Sequence, residues 1–170
     1  MINIIKATKE HIPEILRIGN ELISPAWTHK MLLSELNNGD SEIFVAVGKQ
    51  GDGSSAFLYR NKKAEEPSPC FLHGFVVFRQ VGDDGEILQI AVDKAVQRSG
   101  VGGLLIDSAI KHAHENELKS IFLEVRKSNV AAVGLYKKHG FENVRERKGY
   151  YNDPVEDAIV MARKVHVDNH

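Results

Sequence analysis

Apolar residues recur along this chain with two different periods, and each change of period marks a new element. Ile2–Lys6 reads as a short first strand. Thr8 offers a cap, and Ile12, Ile15, Leu16, Ile18 and Leu22 then recur at helical spacing until Pro25 breaks the run. A second short helix begins after Trp27, with Thr28 as cap and Met31, Leu32 and Leu36 on its buried stripe. Asn37-Asn38-Gly39 stops it. Glu42–Val47 has the alternation of a strand, Phe71–Arg79 and Glu86–Val92 read as two more, and Ser120–Arg126 is a fourth whose residues alternate. A turn at Gly82-Asp83-Asp84-Gly85 separates two of them. The connection Gly48–Pro69 holds glycines, serines, prolines and a charged cluster at Lys62, Lys63, Glu65 and Glu66; it reads as a long hairpin link, with Ala56–Tyr59 as a small extra strand. Gly100–Glu117 is a helix whose packed side carries Leu104, Leu105, Ser108, Ala109 and Ala113. Asn129–His139 is another, opened by an Asn cap and closed by Gly140. Phe141–Arg147 and Asp157–Lys164 form a closing antiparallel pair around a Tyr150–Pro154 loop. The predicted order is β-α-α-β-β-β-α-β-α-β-β, an α/β (α+β) fold in one domain over residues 1–170.

Composition narrows the function classes. The chain has 170 residues, 42% hydrophobic and 26% charged, with a formal net charge of −1. That balance does not single out nucleic acid or an anionic membrane as partner. No apolar run approaches the roughly 20 residues of a membrane span, and the N-terminus lacks a secretory apolar region. The one cysteine, Cys70, cannot make an internal disulfide, which fits a cytoplasmic setting. Eight histidines include His112 and His114, two apart on a helix and so facing apart; no paired cysteines or His-Glu-x-x-His occur, and no metal is expected.

The segment richest in chemistry is Gln97-Arg98-Ser99-Gly100-Val101-Gly102-Gly103, which follows a strand and opens a helix. Its glycines let the backbone approach a ligand, and the unpaired N–H groups of the first helical turn converge on one point. A phosphate or diphosphate suits that point, with Arg98 adding a full charge. The segment lacks the Gly-Lys-Ser/Thr of a Walker loop, and Leu105 stands where a dinucleotide fingerprint needs a small residue. A glycine-rich turn without ligand remains the alternative at this level.

Gln97-x-x-Gly100-x-Gly102 resembles the acetyl-CoA motif of the GNAT superfamily of N-acetyltransferases. Ile90-Ala91-Val92-Asp93 resembles that family's cofactor-binding strand. Leu123-Glu124-Val125-Arg126-Lys127-Ser128-Asn129, Leu135-Tyr136-Lys137-Lys138-His139-Gly140-Phe141 and Tyr150-Tyr151 followed by Glu156-Asp157-Ala158-Ile159-Val160-Met161 are similar to the RimI-type ribosomal-protein-alanine N-acetyltransferases. The resemblance covers about Glu86 to Ala162. It implies a GNAT fold, a mixed and mostly antiparallel central sheet flanked by helices. It implies acetyl-CoA as co-substrate without a metal, and direct attack of an amine on the thioester. Two features depart from the pattern: the 48–69 connection is longer than usual, and Gly103 replaces a frequent basic residue.

The resemblance also implies roles. Arg98, Ser99, Gly100, Val101, Gly102 and Gly103 would hold the diphosphate. Ile90, Ala91 and Val92 would pair with the pantetheine arm, and Asn129 would add a contact from its helix cap. Glu124 would be the general base and Tyr136 the acid that protonates the departing sulfur. In the strand, Phe122, Glu124 and Arg126 share one face, so a structural Glu124–Arg126 pair is the competing reading. Trp27, Tyr150 and Tyr151 would line the acceptor groove. The implied acceptor is a protein N-terminus, that of small ribosomal protein S18. A small-molecule amine, or regulatory acetyl-CoA binding without turnover, are the alternatives.

Overall fold

The computed structural model describes residues 1–48, 57–59 and 68–165, with 57–59 and 68–70 described by their backbone. These residues form β1 (Asn3–Lys6), α1 (Ile12–Leu22), α2 (His29–Leu36), β2 (Ser41–Gly48), β3 (Phe57–Tyr59), β4 (Ser68–Val81), β5 (Asp84–Val92), α3 (Val101–Glu115), β6 (Ser120–Arg126), α4 (Val130–Lys138), β7 (Glu142–Asn152) and β8 (Val155–Lys164). The expected order is present, with β3 added where an extra strand was anticipated. The charged cluster at Lys62, Lys63, Glu65 and Glu66 lies outside the described residues, as does most of the 48–69 connection.

The sheet runs β1-β2-β4-β5-β6-β8-β7, with β3 on β4. Its described neighbours are antiparallel except β5 and β6. Alternation gives the sheet two apolar faces. On one, Val101, Leu105, Ile106, Ala109 and Ala113 of α3 pack on Val76, Phe78, Ile87, Ile121 and Leu123. On the other, Ile12, Ile15 and Ile18 of α1 and Leu32 of α2 pack on Ile43, Val45, Phe75 and Val77. Each such side chain contributes roughly 1.5–3 kcal/mol by leaving water.

The parallel pair is incomplete. Asp84, Gly85, Glu86 and Ile87 face Ser120, Ile121, Phe122 and Leu123, and the register ends there. The next residue of β5, Leu88, has no partner on β4 either: Gln89 pairs with Val77 and Ile87 with Phe78, which leaves Leu88 as a bulge. A bulge bends its strand and increases the local twist. Residues 88–92 and 124–126 therefore diverge, and a slot opens within the sheet.

Three sequence expectations need correction. Leu104 is exposed, because the buried stripe of α3 steps by four through Val101, Leu105, Ala109 and Ala113, and Leu104 lies about 100° away around the helix. Met31 is also exposed; the buried residues of α2 are Leu32 and Glu35. Tyr150 and Tyr151 belong to β7 rather than to a loop, since the strand continues to Asn152 and only Asp153 and Pro154 form the turn. Register shifts in β7 allow this extension.

Asp93 ties β5 to the α1 face. Its carboxylate accepts from the Ala95 N–H at 2.9 Å and from Arg17 at 2.6 Å. Burial opposes the charge of Asp93, but these donors outweigh it and hold the carboxyl below its usual range. A carboxyl depressed in the fold adds stability that is complete above about pH 5 and fades as pH falls below about 4. Asp93→Asn is expected to lower unfolding free energy by about 1–3 kcal/mol at pH 7. In urea titrations the deficit should shrink as pH falls below about 4, where the carboxyl of the unfolded chain takes up protons first.

Candidate active site

The chain leaves β5 through Asp93 and turns into α3 at residues that suit an anion. Gln97 Nε2 donates to the Val92 carbonyl at 3.2 Å, and Ser99 Oγ to the Val96 carbonyl at 2.5 Å, so the approach is braced from within. Arg98 and Gly100 take positive φ of 62° and 89°. At Gly100, the helix N-cap, only glycine adopts that backbone without strain. The first helical acceptor is the Gly100 carbonyl, which receives the Leu104 N–H at 3.2 Å. The N–H groups of Val101, Gly102 and Gly103 precede it and face out of the helix end. Arg98 stands exposed beside them, with no ion pair among the described residues. Diphosphate chemistry fits this cradle, which offers donors, a helix dipole and a cation.

The glycines also set helix spacing. A Cβ on Gly102 would lie 2.9 Å from Leu135 Cδ2, so α3 and α4 approach each other here. A Cβ on Gly103 would lie 3.2 Å from His139 Nε2. The imidazole of His139, whose Nδ1 meets Asp107 Oδ1 at 3.0 Å, thus lies where a side chain at 103 would begin. Asn129 caps α4 as expected, its Oδ1 accepting from the Ala132 N–H at 3.1 Å. Its amide is exposed.

Beyond Ile87 the second edge of β5 is free of β6, so the backbone of Ile90, Ala91 and Val92 borders the slot. Glu124 stands where β6 leaves the pairing. Its carboxylate accepts from Arg147 Nη1 at 2.5 Å, and it lies close enough to act on the Tyr150 hydroxyl. The competing Glu124–Arg126 pair is not formed: Arg126 bonds Glu156 at 3.3 Å and lies 4.1 Å over the ring of Tyr151. Arg147 lies 4.3 Å over the ring of Tyr150, and the two tyrosine rings meet edge to face at 5.0 Å. The Glu124 carboxylate, aided by partial burial, raises Tyr150. Burial, and then the charge of Glu124, raises Tyr151. Tyr136 on α4 is 6% exposed and packs edge to face on Phe141. Burial, with a smaller push from Tyr151, lifts its hydroxyl well above the ordinary phenol range. It therefore keeps its proton at any physiological pH.

Two cavities border this face. One of about 270 Å³ is lined by Glu86, Phe122, Glu124, Arg145 and Val160 among others. Another, of about 440 Å³, is lined by Trp27, Met31, Glu35, Arg79 and Leu88 among others. Trp27 is half-buried at that wall rather than sealed in the core. Glu124, Tyr136, Tyr150 and Tyr151 thus gather around the parting of the strands. The glycine turn and Asn129 lie at the helix ends, and Trp27 lies across the face. The sequence reading missed Glu86 and Arg147. Glu86 shares its face with Glu124, because it pairs across from Phe122; that signal needs the strand register to be seen.

The model of the "Acetyltransferase (GNAT) family" matches residues 19–141. The chain is 40% identical over 161 residues to an N-alpha-acetyltransferase of Saccharolobus solfataricus, covering 92% of this chain and 89% of that protein. It is 39% identical over 90 residues to the [ribosomal protein bS18]-alanine N-acetyltransferase of Escherichia coli, a match spanning 52% of this chain and 61% of that enzyme's length. The crystal structure of the ribosomal-protein-S18-alanine N-acetyltransferase from Escherichia coli is similar with a TM-score of 0.78 and 26% identity, covering 100% and 97% of the two chains. The chain belongs to the GNAT acetyltransferase family.

Gly100→Ala should test the turn directly. A Cβ there meets no neighbour, so its cost is conformational, about 1–2 kcal/mol. Urea unfolding should show a loss of that size, and an unchanged midpoint would contradict the positive φ.

Proposed function

We propose that this protein transfers the acetyl group of acetyl-CoA to the α-amino group at a protein N-terminus. The observation that carries the reading is the parting of β5 from β6 after Ile87 and Leu123, with an anion cradle beside one end and Glu124 among tyrosines at the other. Arg98, Ser99 and the backbone from Gly100 to Gly103 hold the diphosphate. The free edge at Ile90, Ala91 and Val92 hydrogen-bonds the pantetheine amides as an added strand would. A backbone N–H of that edge steadies negative charge on the thioester oxygen. The exposed amide of Asn129 adds a contact from the α4 cap. Tyr136, which keeps its proton, supplies it to the departing sulfur.

The acceptor enters over the open face, between Trp27 on the α2 side and Tyr150 and Tyr151 on the β7 side. Carboxylates suit an incoming ammonium, and the tyrosines and Trp27 supply flat apolar walls for the first residues of a chain. The relatives support an α-amine: one is an N-alpha-acetyltransferase that matches nearly the whole chain. The N-terminal alanine of ribosomal protein bS18 is the first acceptor to test, because the Escherichia coli relative acts on it. That acceptor places the work in the cytoplasm.

Thiol release from acetyl-CoA should accompany acetylation of an Ala-starting bS18 peptide and be absent with the same peptide already blocked. Mass spectrometry should find the added acetyl on the α-nitrogen. Release with spermidine but not with peptide would assign a small-molecule acceptor, and CoA binding without release would assign a regulatory domain. Tyr136→Phe should lower kcat about 100-fold while leaving CoA affinity unchanged.

A further inference from the structure

We propose that Arg147 selects the acceptor by exchange of ion pairs: it occupies Glu124 until the α-ammonium displaces it, and it then binds an acidic side chain at the acceptor's second residue. The assignment rests on the acetyl-transfer reading above and deepens it by naming the class of chain end that the site takes.

The strand registers set up this exchange. Val160 of β8 lies between Glu124 of β6 and Arg145 of β7, and Ala158 lies between Arg126 and Arg147. Arg147 is therefore rooted one row from Glu124 and two strands away, about 10 Å across the sheet. Its side chain reaches over β8 and brings Nη1 to 2.5 Å from Glu124 Oε1. A cation of the protein thus covers the carboxylate that the open face turns toward an acceptor ammonium.

The two arginines paired with carboxylates on this face differ in how firmly they are held. Arg126 donates to Glu156 and to the carbonyls of Pro154 and Asp153, each at 3.3 Å, and lies 4.1 Å over Tyr151. Glu156 in turn accepts from the Ser128 N–H at 2.6 Å, so Arg126 is locked to the β7–β8 turn. Among the described residues Arg147 has one hydrogen-bonded partner, Glu124, and one stacking partner, Tyr150, at 4.3 Å. Its side chain is 43% exposed, against 22% for Arg126. Ion pairs at such exposure are weak, so an arriving ammonium can take the place of the guanidinium on Glu124. Stacking on Tyr150 keeps the released cation on the face.

Charge then decides which acceptor gains. The released guanidinium withdraws from Glu124 toward β7, and successive residues of a chain lie about 3.8 Å apart. It therefore meets the second residue of the acceptor rather than the amine. A carboxylate there replaces the lost partner and suits the planar guanidinium. An amide leaves the cation to water and the ring, and an ammonium repels it. Arg145 lines the same cavity as Glu124 and has no ion pair among the described residues, so it favours the same charge. Lys148 is engaged by Glu146 and Asp157. Asp84 and Glu86 stand on β5, on the far side of Glu124 from Arg147, and so act on the amine end.

Three peptides that begin Ala-Glu, Ala-Gln and Ala-Lys and are otherwise identical test the exchange. With wild-type enzyme, kcat/KM should fall about fivefold from the Glu to the Gln peptide, and further to the Lys peptide. Arg147→Gln should make the Glu and Gln peptides equal while binding CoA as wild type does. Arg147→Lys, which keeps the charge, should retain part of the preference. Added salt should shrink the preference of the wild-type enzyme, a measurement that needs no variant. Equal kcat/KM on the Glu and Gln peptides in wild type would overturn the assignment, as would a preference that survives in Arg147→Gln or does not move with salt. Absence of thiol release with all three peptides would instead remove the acetyl-transfer reading beneath it.

Discussion

The structure depends on a parallel strand pair that is only half made. Backbone N–H and C=O groups inside a sheet need partners, and leaving them unpaired costs free energy comparable to a lost hydrogen bond. β5 and β6 satisfy each other from Asp84 to Ile87 and then separate. Each keeps its outer neighbour, β4 or β8, so the sheet holds together around the gap. What remains is an edge in the interior of the sheet, where a ligand amide can pair as a strand would. The bulge at Leu88 is the local cause, since one extra residue turns β5 away from its partner.

Other elements are arranged around that gap. α3 begins beyond the free end of β5, which brings its unbonded N–H groups beside the slot, and the small Gly102 lets α4 approach with Tyr136. On the opposite face, α1 and α2 cover β2, β4 and part of β5, while the part of that same face carrying Glu86 and Glu124 stays open. The β7–β8 hairpin closes that side. The unpaired Val144, between Asn143 and Arg145, keeps Arg145 and Arg147 over Val160 and Ala158, on the face of Glu124. The second shift, before Tyr151, breaks strict alternation, so adjacent tyrosines can both act on Glu124.

The sequence displays most of this plan because most of it is local. Periodicity marks the strands and helices, Thr28 and Asn129 cap the helices where their side chains suggest, and the glycine turn stands where positive φ is needed. What it hides depends on register or on helix phase. Leu104 and Met31 carry apolar side chains, but a single residue's offset turns each outward. The pairing of Glu124 with Arg147 spans 23 residues and follows from the bulged hairpin, so the nearer Arg126 looked the better partner. Glu86 looks like any polar residue of an alternating strand. Its isolation becomes visible only once Arg79 and Arg147 are seen to be engaged elsewhere.

The charge pattern of the open face bears on the kind of amine it can process. Neutralising an α-amino group of pKa about 8 at pH 7 costs about 1.4 kcal/mol, whereas a lysine side chain at about 10.4 costs nearly 5. Two bare carboxylates would attract either ammonium, but they would also stabilise it and raise that cost. The arginines temper this effect. Arg147 offsets the charge of Glu124 at contact distance, and Arg79 and Arg147 each pull Glu86 down at longer range. On the proposed reading, carboxylates tempered in this way would serve an α-amine more readily than a lysine side chain, whose neutralisation costs more.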